Sequence, residues 1–333
     1  RDSYYGPGND PLKAYGKTTD LTAMGGAQYV HTFDKCFFMP SDLTAGLEYN
    51  RDRLKDNMWG YDRHTDQTVN IYSAFLQNEW KNDRWGILIG GRLDKHNMVD
   101  NVIFSPRANL RFNPTQNINL RLSYSSGFRA PQAFDEDMHI ENVGGTVAMI
   151  ERAKDLKEEK SQSFSVSADM YHRFGAFQTN LLIEGFYTRL TDVFVLGKPY
   201  DRGDGILVKT RSNGPGAKVM GLTLEGKVAY LSILQIQAGL TLQRSRYDEP
   251  HKWHDDAPAE KKIFRTPDTY GYFTATCTPI KPLSIALSGT YTGRMLVQRM
   301  DITAENAELG KMPERKAEAI RTPRFFDLGV KLA

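Results

Sequence analysis

The chain has 333 residues, of which 40% are hydrophobic and 25% charged, and its net charge is +3. A charge this small argues against a nucleic-acid-binding protein. Cys36 and Cys277 are the only cysteines. They exclude a disulfide framework and a cysteine-rich metal site, and we expect two unpaired thiols. No apolar run approaches the roughly 18 residues that a transmembrane helix needs.

Apolar and polar side chains alternate along short segments throughout the chain. In Ile118–Ser125 the even-numbered residues are isoleucine, leucine, leucine and tyrosine, and the odd-numbered ones are polar. A period of two indicates a strand with one apolar and one polar side. The same pattern predicts about thirteen strands. They lie at 21–33, 43–50, 68–80, 85–94, 104–113, 118–125, 163–170, 180–187, 222–230, 234–243, 269–278, 283–291 and 326–332.

The connections between these strands alternate in length. Long ones are predicted at 51–67, 95–103, 129–161, 196–216, 245–267 and 294–324, with short turns between them. All long connections therefore leave one edge of the sheet, as in outer-membrane barrels. Aromatic residues also cluster at both strand ends, as membrane interfaces select. An ordinary half-buried antiparallel sheet is the alternative, because it too sorts charges to one side.

These patterns together predict an all-β protein: a transmembrane, antiparallel, up-and-down β-barrel made by residues 1–333 as a single domain segment. Arginine or lysine on the lipid side costs about 2–4 kcal/mol at mid-bilayer, so a barrel must sort its charges. The polar sides then line a lumen that holds water or a plug domain. The chain starts at Arg1, within a polar, turn-rich stretch and without a signal peptide, and we expect it to be the interior of a longer protein.

Polar clusters in the long connections are the candidate binding residues. The acidic run Asp135, Glu136 and Asp137, with His139, has oxygen donors suited to a ligand or to Ca²⁺. Trp253 is a candidate for stacking on a bulky ligand. The donors of a candidate metal site lie together near position 253: His251, His254, Asp255 and Asp256. In each case a solvated loop is the simpler interpretation. We expect no other cofactor, because motifs of catalysis or phosphate binding are missing from the sequence.

The segment YSSGFRAPQAFDEDMH at 124–139 resembles a recurrent motif of TonB-dependent outer-membrane receptors, in which a strand ends in SxGFRAP. In this sequence the residues that match the family motif are Gly127, Phe128, Arg129, Ala130 and Pro131. Arg129 is expected to pair with carboxylates of a neighbouring loop, and Pro131 to end the strand. Weaker similarities run through IEGFYTRLTDV at 183–193, GLTLEG at 221–226 and TPRFFDLGVKL at 322–332. The likeness is greatest to the cobalamin and ferric-siderophore receptors.

This resemblance implies a cell outer-membrane location and a barrel of about 22 strands around an N-terminal plug. About seven strands and the plug are then expected before Arg1, and about two strands after Ala333. The implied partners are the TonB complex, contacted through that N-terminal region, membrane lipids or lipopolysaccharide, and a small-molecule ligand such as cobalamin or a siderophore. Energy-coupled uptake of a scarce, large nutrient of the vitamin B12, iron-siderophore or heme type is the leading hypothesis, and an enzyme is not expected. A passive porin is the main alternative, and a surface adhesin or outer-membrane enzyme the third.

Overall fold

A computed structural model describes residues 2–4, 15–59, 63–132, 141–143, 146–198, 200–203, 207–253, 257–280, 282–302 and 315–333. Strands dominate these residues. Their bounds are β1 Asp2–Tyr4, β2 Tyr15–Cys36, β3 Met39–Met58, β4 Arg63–Lys81, β5 Trp85–His96, β6 Ile103–Thr115, β7 Ile118–Arg129, β8 Glu141–Val143, β9 Thr146–Arg152, β10 Glu159–Phe174, β11 Phe177–Thr191, β12 Phe194–Leu196, β13 Tyr200–Asp201, β14 Leu207–Asn213, β15 Ala217–Tyr230, β16 Leu234–His251, β17 Glu260–Lys262, β18 Thr269–Ile280, β19 Leu283–Thr292, β20 Leu296–Ile302, β21 Arg315–Arg321 and β22 Phe325–Leu332. In the part of the chain described, no helix has the length and hydropathy needed to cross a membrane.

One antiparallel sheet contains most of the strands. Its order is β1-β2-β3-β4-β5-β6-β7-β10-β11-β15-β16-β18-β19-β22, with β17 paired to β16, which makes fifteen strands. All thirteen predicted strands are therefore confirmed, and the short β1 and β17 are the additions. Strands adjacent along this path follow one another up and down, and within the described residues β1 and β22 are not joined. The sheet is a partial barrel wall.

Hydrophobic side chains cover one side of this sheet, which we call the apolar face. The register aligns Phe112, Leu120, Ala168, Ile183, Leu224, Leu240, Gly271, Tyr291 and Phe326 as direct partners across nine strands. Leu120, Ile236 and Ile285 on this face are 38%, 42% and 38% exposed. A sandwich formed by these residues alone would bury such side chains, so their exposure supports the barrel over the half-buried sheet.

Two rows of aromatic residues bound the apolar face. The lower row lies beside the short turns and includes Trp85 stacked on Phe112 at 4.3 Å and Phe177 beside Tyr230 at 4.7 Å. The upper row includes Tyr49–Tyr72, Tyr124–Phe164 and Tyr187. Phe177 and Tyr187 are ten residues apart on β11, or about 33 Å along the strand. If the strands tilt by about 45° from the membrane normal, the two rows are about 24 Å apart along that normal. This is close to the roughly 25 Å height of the apolar band of outer-membrane barrels.

Local sequence accounts for the tight turns at the lower edge. Gly175 begins the two-residue turn between β10 and β11 with a φ of 59°, a conformation that costs glycine little. Between β4 and β5 the Asn82 side chain accepts hydrogen bonds from the backbone N–H of Arg84 and Trp85 at 2.9 and 2.7 Å. Asparagine favours such turns because its carbonyl oxygen reaches the next backbone donors.

The predicted extents of the long connections are wrong in part. β3 continues to Met58 and β4 begins at Arg63, so most of the segment predicted as a loop at 51–67 is a paired hairpin. Likewise, β16 runs through the start of segment 245–267, and short strands occupy parts of 129–161, 196–216 and 294–324. Above the upper aromatic row both sides of a strand meet polar surroundings. The alternation therefore ends in the sequence although the hydrogen-bonded ladder continues.

The loop side of the wall as candidate functional site

The connections after β7 and after β11 together contain five short strands. β12, β14, β9 and β8 form a small sheet in that order, and β13 pairs with β14. β14 and β9 run parallel from Leu207 opposite Ala148 to Arg211 opposite Arg152. Met149 and Val208 are completely buried there. Parallel pairing joins the connection after β7 to the one after β11, so these two loops are one ordered unit, which we call the loop sheet.

The GFRAP motif anchors the loop sheet to the wall. β7 ends at Arg129, and Ala130 is buried with Val99 and Ile103, against which Phe128 packs. The Arg129 guanidinium lies over the Phe194 ring, 5.5 Å from its centroid. Such cation–π contacts stabilise by about 0.5–2 kcal/mol. The motif therefore has a structural function at the point where three connections meet.

Arg152 ties the end of β9 to both the motif and the wall. One guanidinium nitrogen, Nη1, donates to the Gln67 Oε1 atom on β4 at 3.0 Å and to the Pro131 carbonyl oxygen at 2.9 Å. Asn213 fixes the other side of the loop sheet, because it accepts from the Lys157 N–H and donates to the carbonyls of Lys157 and Asp192. Hydrogen bonds from charged groups are among the stronger ones, so Arg152 contributes most to holding the loop sheet against the wall.

We expect Arg152→Ala to loosen the loop sheet while leaving the wall intact. Loss of two charge-assisted hydrogen bonds lowers the local free energy of opening by about 1–3 kcal/mol. Hydrogen exchange at the backbone of 148–152 and 207–211 should accelerate accordingly. Arg173→Ala, at an exposed position next to a turn on the opposite edge, is the matched control and should leave these amides unchanged. Equal protection of these amides from hydrogen exchange in both variants would contradict the stabilising role of Arg152.

A buried histidine also supports the motif. His96 is fully buried, its Nδ1 accepts from the Met98 backbone N–H at 3.0 Å, and its Nε2 lies 3.2 Å from Gln132 Oε1. Since Nδ1 is an acceptor, the proton must be on Nε2, which donates to Gln132. His96 is therefore a neutral structural residue that holds the chain just after Pro131.

Opposite the apolar face, the polar face carries paired charges. Glu48, Ser73 and Asp94 are direct partners across β3, β4 and β5. Arg92 donates to all three, at 2.9 Å to Glu48 Oε1, 2.7 Å to Ser73 Oγ and 2.8 Å to Asp94 Oδ1. Lys227 similarly lies 3.1 Å from Glu225. A face with this many ionised groups requires water or a polar domain against it, as the sequence predicted.

Of the other candidate residues, Trp253 and His251 lie in the described part of the chain. Trp253 is half-buried, and its ring meets Phe264 edge-on at 6.4 Å. His251 packs beside Tyr247, with ring centroids 5.7 Å apart. Outside the described residues lie Asp135, Glu136, Asp137, His139, His254, Asp255 and Asp256. Among the residues that are described, three or more metal-ligating side chains do not come together. The Ca²⁺ and metal sites stay predictions.

The environment of His251 predicts a pH effect. Burial lowers its pKa below the ordinary value of 6.5. Between the folded-state pKa and 6.5 the unfolded chain binds more protons, so stability rises with pH in that window and is lost as the pH falls through it. We expect the His251 ring signal in an NMR titration to move with a midpoint below 6.5. His251→Gln should abolish any acid-induced loosening around Tyr247. A midpoint at or above 6.5 would disprove this assignment.

Sequence reasoning did not identify Gln67, His96, Gln132 and Arg152 as a connected group. Their separations along the chain are large, and nothing in a hydrophobic pattern reports on long-range side-chain pairing. Asn213 had a weak local signal, since it precedes the turn-forming run GPG at 214–216. Cys36 and Cys277 are both free, as predicted.

Comparison with known proteins agrees with this architecture. The family model described as TonB dependent receptor-like, beta-barrel, matches residues 1–306. We found no match among curated protein sequences. Similar solved structures include a ferric enterobactin receptor (PfeA) from Pseudomonas aeruginosa in complex with BCV-L6, with 17% identity and a TM-score of 0.68 over 96% of this chain and 48% of that one.

Two further structures resemble the chain to a similar degree. The siderophore receptor PirA from Acinetobacter baumannii has 16% identity and a TM-score of 0.65 over 96% of this chain and 48% of that one. The FrpB iron transporter from Neisseria meningitidis has 14% identity and a TM-score of 0.63 over 95% and 48%. At such identities the likeness concerns the fold. The chain spans about half the length of each of these structures.

An antiparallel wall with an apolar face, a polar face and long connections on one side has the architecture of an outer-membrane β-barrel. Because the family model covers most of the chain, the chain belongs to the TonB-dependent receptor β-barrel family. This is a family of outer-membrane proteins that work in nutrient uptake, and its members are transport receptors, not enzymes.

Proposed function

We propose that this protein takes up a ferric siderophore across the outer membrane by TonB-coupled active transport. The observation that carries the proposal is the family match over residues 1–306. Further support comes from the fold of receptors for siderophores and ferric enterobactin. In this scheme the loop side, with the loop sheet and Trp253, captures the ligand, and the polar face forms one wall of its path.

The polar face suits passage of a hydrated, charged ligand. Arg92 and Lys227 are already paired with acids on the same wall, so a passing ligand does not meet these two side chains as free cations. A tight internal site would hinder release. In this proposal the loops therefore bind the ligand tightly, and the polar face of the wall lets it pass.

Uptake in a strain deleted for this gene tests both the substrate and the energy coupling. Radioactive iron carried by a siderophore should enter complemented cells faster than deleted cells. An uncoupler of the inner-membrane proton gradient should abolish the difference. Uptake that survives the uncoupler would identify a passive porin. Restored uptake of cobalamin or heme in place of the iron chelate would refute the siderophore assignment while retaining active transport.

A further inference from the structure

Three arginines follow one another down the polar face on β6 and β7. Arg111 is the direct register partner of Arg121, and Arg107 is four residues before Arg111 on the same side of β6. That spacing corresponds to about 13 Å along the strand. Direct partners in antiparallel strands project to the same face, where like charges destabilise the pairing. We call these three residues the arginine group.

The arginine group is not paired with acids of the wall. None of its members has an ion-pair partner among the residues that the structure describes. Asp169, the acid on β10 that is nearest to Arg121 in register, accepts hydrogen bonds from the Tyr171 hydroxyl at 2.9 Å and from the Asn180 amide. Arg121 Nε donates to the Asn119 Oδ1 atom at 2.7 Å, which is a neutral acceptor. These guanidinium charges therefore stay available to an anion on the lumen side.

The Arg111 guanidinium is held by the backbone around it. A Cβ atom at Gly86, the register partner of Arg111 on β5, would lie 3.1 Å from Arg111 Nε, so the absence of a side chain there makes room for the guanidinium. Arg111 Nη2 donates to the Asn82 carbonyl oxygen at 3.2 Å, whereas the shielded Nε has no acceptor in the described part of the wall. An arginine placed in this way keeps its capacity for charge-assisted hydrogen bonds to an anion.

Hydroxyl side chains extend the arginine group toward the loop side, and its other end reaches the short turns. Ser167 on β10 is the register partner of Arg121. Two serine pairs continue in the direction of the loops: Ser165 with Ser123 and Ser163 with Ser125. Arg111 immediately precedes Phe112 of the lower aromatic row, and short turns face the periplasm in outer-membrane barrels. A ligand that comes from the loop side along this part of the wall therefore meets hydroxyls first and the Arg111–Arg121 pair last.

We propose that the arginine group is an exit site that selects ferric chelates with a net negative charge. This inference rests on the proposed function and narrows its substrate class. Catecholate groups around ferric iron leave a net negative charge, whereas hydroxamate groups neutralise the metal. An anionic chelate offsets the repulsion between Arg111 and Arg121 as it passes. Contacts with hydrated side chains are weak enough for release, which conduction through a pore requires.

Uptake by cells that carry the full-length receptor tests the exit site with two probes, a ferric tris-catecholate and a ferric tris-hydroxamate. We expect the unmodified receptor to import the catecholate chelate faster. The triple variant Arg107→Gln, Arg111→Gln and Arg121→Gln should bind this chelate at the cell surface with unchanged affinity. Its maximum rate of uptake should fall about tenfold, the factor that corresponds to one charge-assisted hydrogen bond. An unchanged maximum rate would overturn the exit site, as would faster import of the hydroxamate chelate. A receptor that imports no iron chelate would instead refute the proposed function, and the exit site with it.

The matched control makes the same change of charge beside the short turns. Lys35, Arg84 and Arg173 are exposed there, and their replacement by glutamine should leave the maximum rate of uptake unchanged. A triple lysine variant of the arginine group keeps the charge and should restore most of the rate. Failure of lysine to restore it would show that positive charge is not what the ligand meets, and would overturn the exit site.

Thermal unfolding of the purified full-length receptor distinguishes an exit site from an internal ion pair. Because Arg111 and Arg121 repel each other, the double change Arg111→Gln and Arg121→Gln should leave the unfolding temperature unchanged or raise it. A fall in that temperature would mean that acids from another segment of the protein pair with the two arginines, and would overturn the exit site. This measurement needs no ligand, so it remains decisive when uptake is low.

Discussion

Replacing Leu287 by arginine is expected to reduce the free energy of folding into lipid vesicles by about 2–4 kcal/mol. Leu287 lies on the apolar face of β19, 39% exposed and opposite Ala275 and Val330, well between the two aromatic rows. The new guanidinium would meet hydrocarbon there, without water or an acid to pair with. Urea titration of the protein in vesicles measures this loss.

The next residue along β19 supplies the control. Ser288 is exposed on the polar face, so Ser288→Arg places the same charge at almost the same depth on the wetted side. Its effect should be within about 0.5 kcal/mol. Equal destabilisation by both arginines would mean that the two faces of the wall meet similar surroundings, and the assignment of faces would then be wrong.

Replacing Arg92 by leucine is the second substitution with a large expected effect, a loss of about 1.5–3 kcal/mol. The change removes donors from Glu48, Ser73 and Asp94 at once, and the Asp94 side chain is only 4% exposed. A carboxylate this deeply buried cannot recover its hydrogen bonds from water. Chemical denaturation in vesicles should show the loss directly.

A double-mutant cycle distinguishes the Arg92 network from a general effect of adding leucine. Asp94→Asn combined with Arg92→Leu should destabilise by less than the sum of the single changes, with a coupling of about 1–3 kcal/mol. Arg107→Leu is the matched control, because Arg107 is an exposed residue of the polar face without an ion-pair partner in the described structure. Additive effects at Arg92 and Asp94 would rule out a cooperative cluster.

Hydrophobic alternation was sufficient to predict the wall. Every predicted strand is present, because a strand with lipid on one side and water on the other must alternate strictly over its membrane-crossing length. The pattern also identified the aromatic rows and the side on which the long connections lie. The side of the sheet on which Leu120 and Ile285 lie therefore follows from the alternation of apolar and polar residues alone.

The same alternation did not predict the structure of the segments above the upper aromatic row. At 51–58 both sides of β3 carry polar residues, so a paired strand looks like a loop in the sequence. The parallel pairing of β9 with β14 was equally invisible, because residues about 60 positions apart associate there through the fold of two separate loops. Of the candidate site residues, the GFRAP motif was correctly located at the end of a strand. The contact between Arg129 and Phe194 depended on those loops and was not predictable.

Site-directed spin labelling along β19 tests the central claim most directly. Single cysteines at 283–291, in a background with Cys36 and Cys277 replaced by serine, would carry the labels in protein reconstituted into lipid. We predict that labels at odd-numbered positions, beginning with Leu283 and Ile285, collide with oxygen dissolved in the bilayer, and that those at even-numbered positions collide with a water-soluble nickel reagent. Uniform accessibility along the strand, or the opposite alternation, would contradict a wall with lipid on its apolar face.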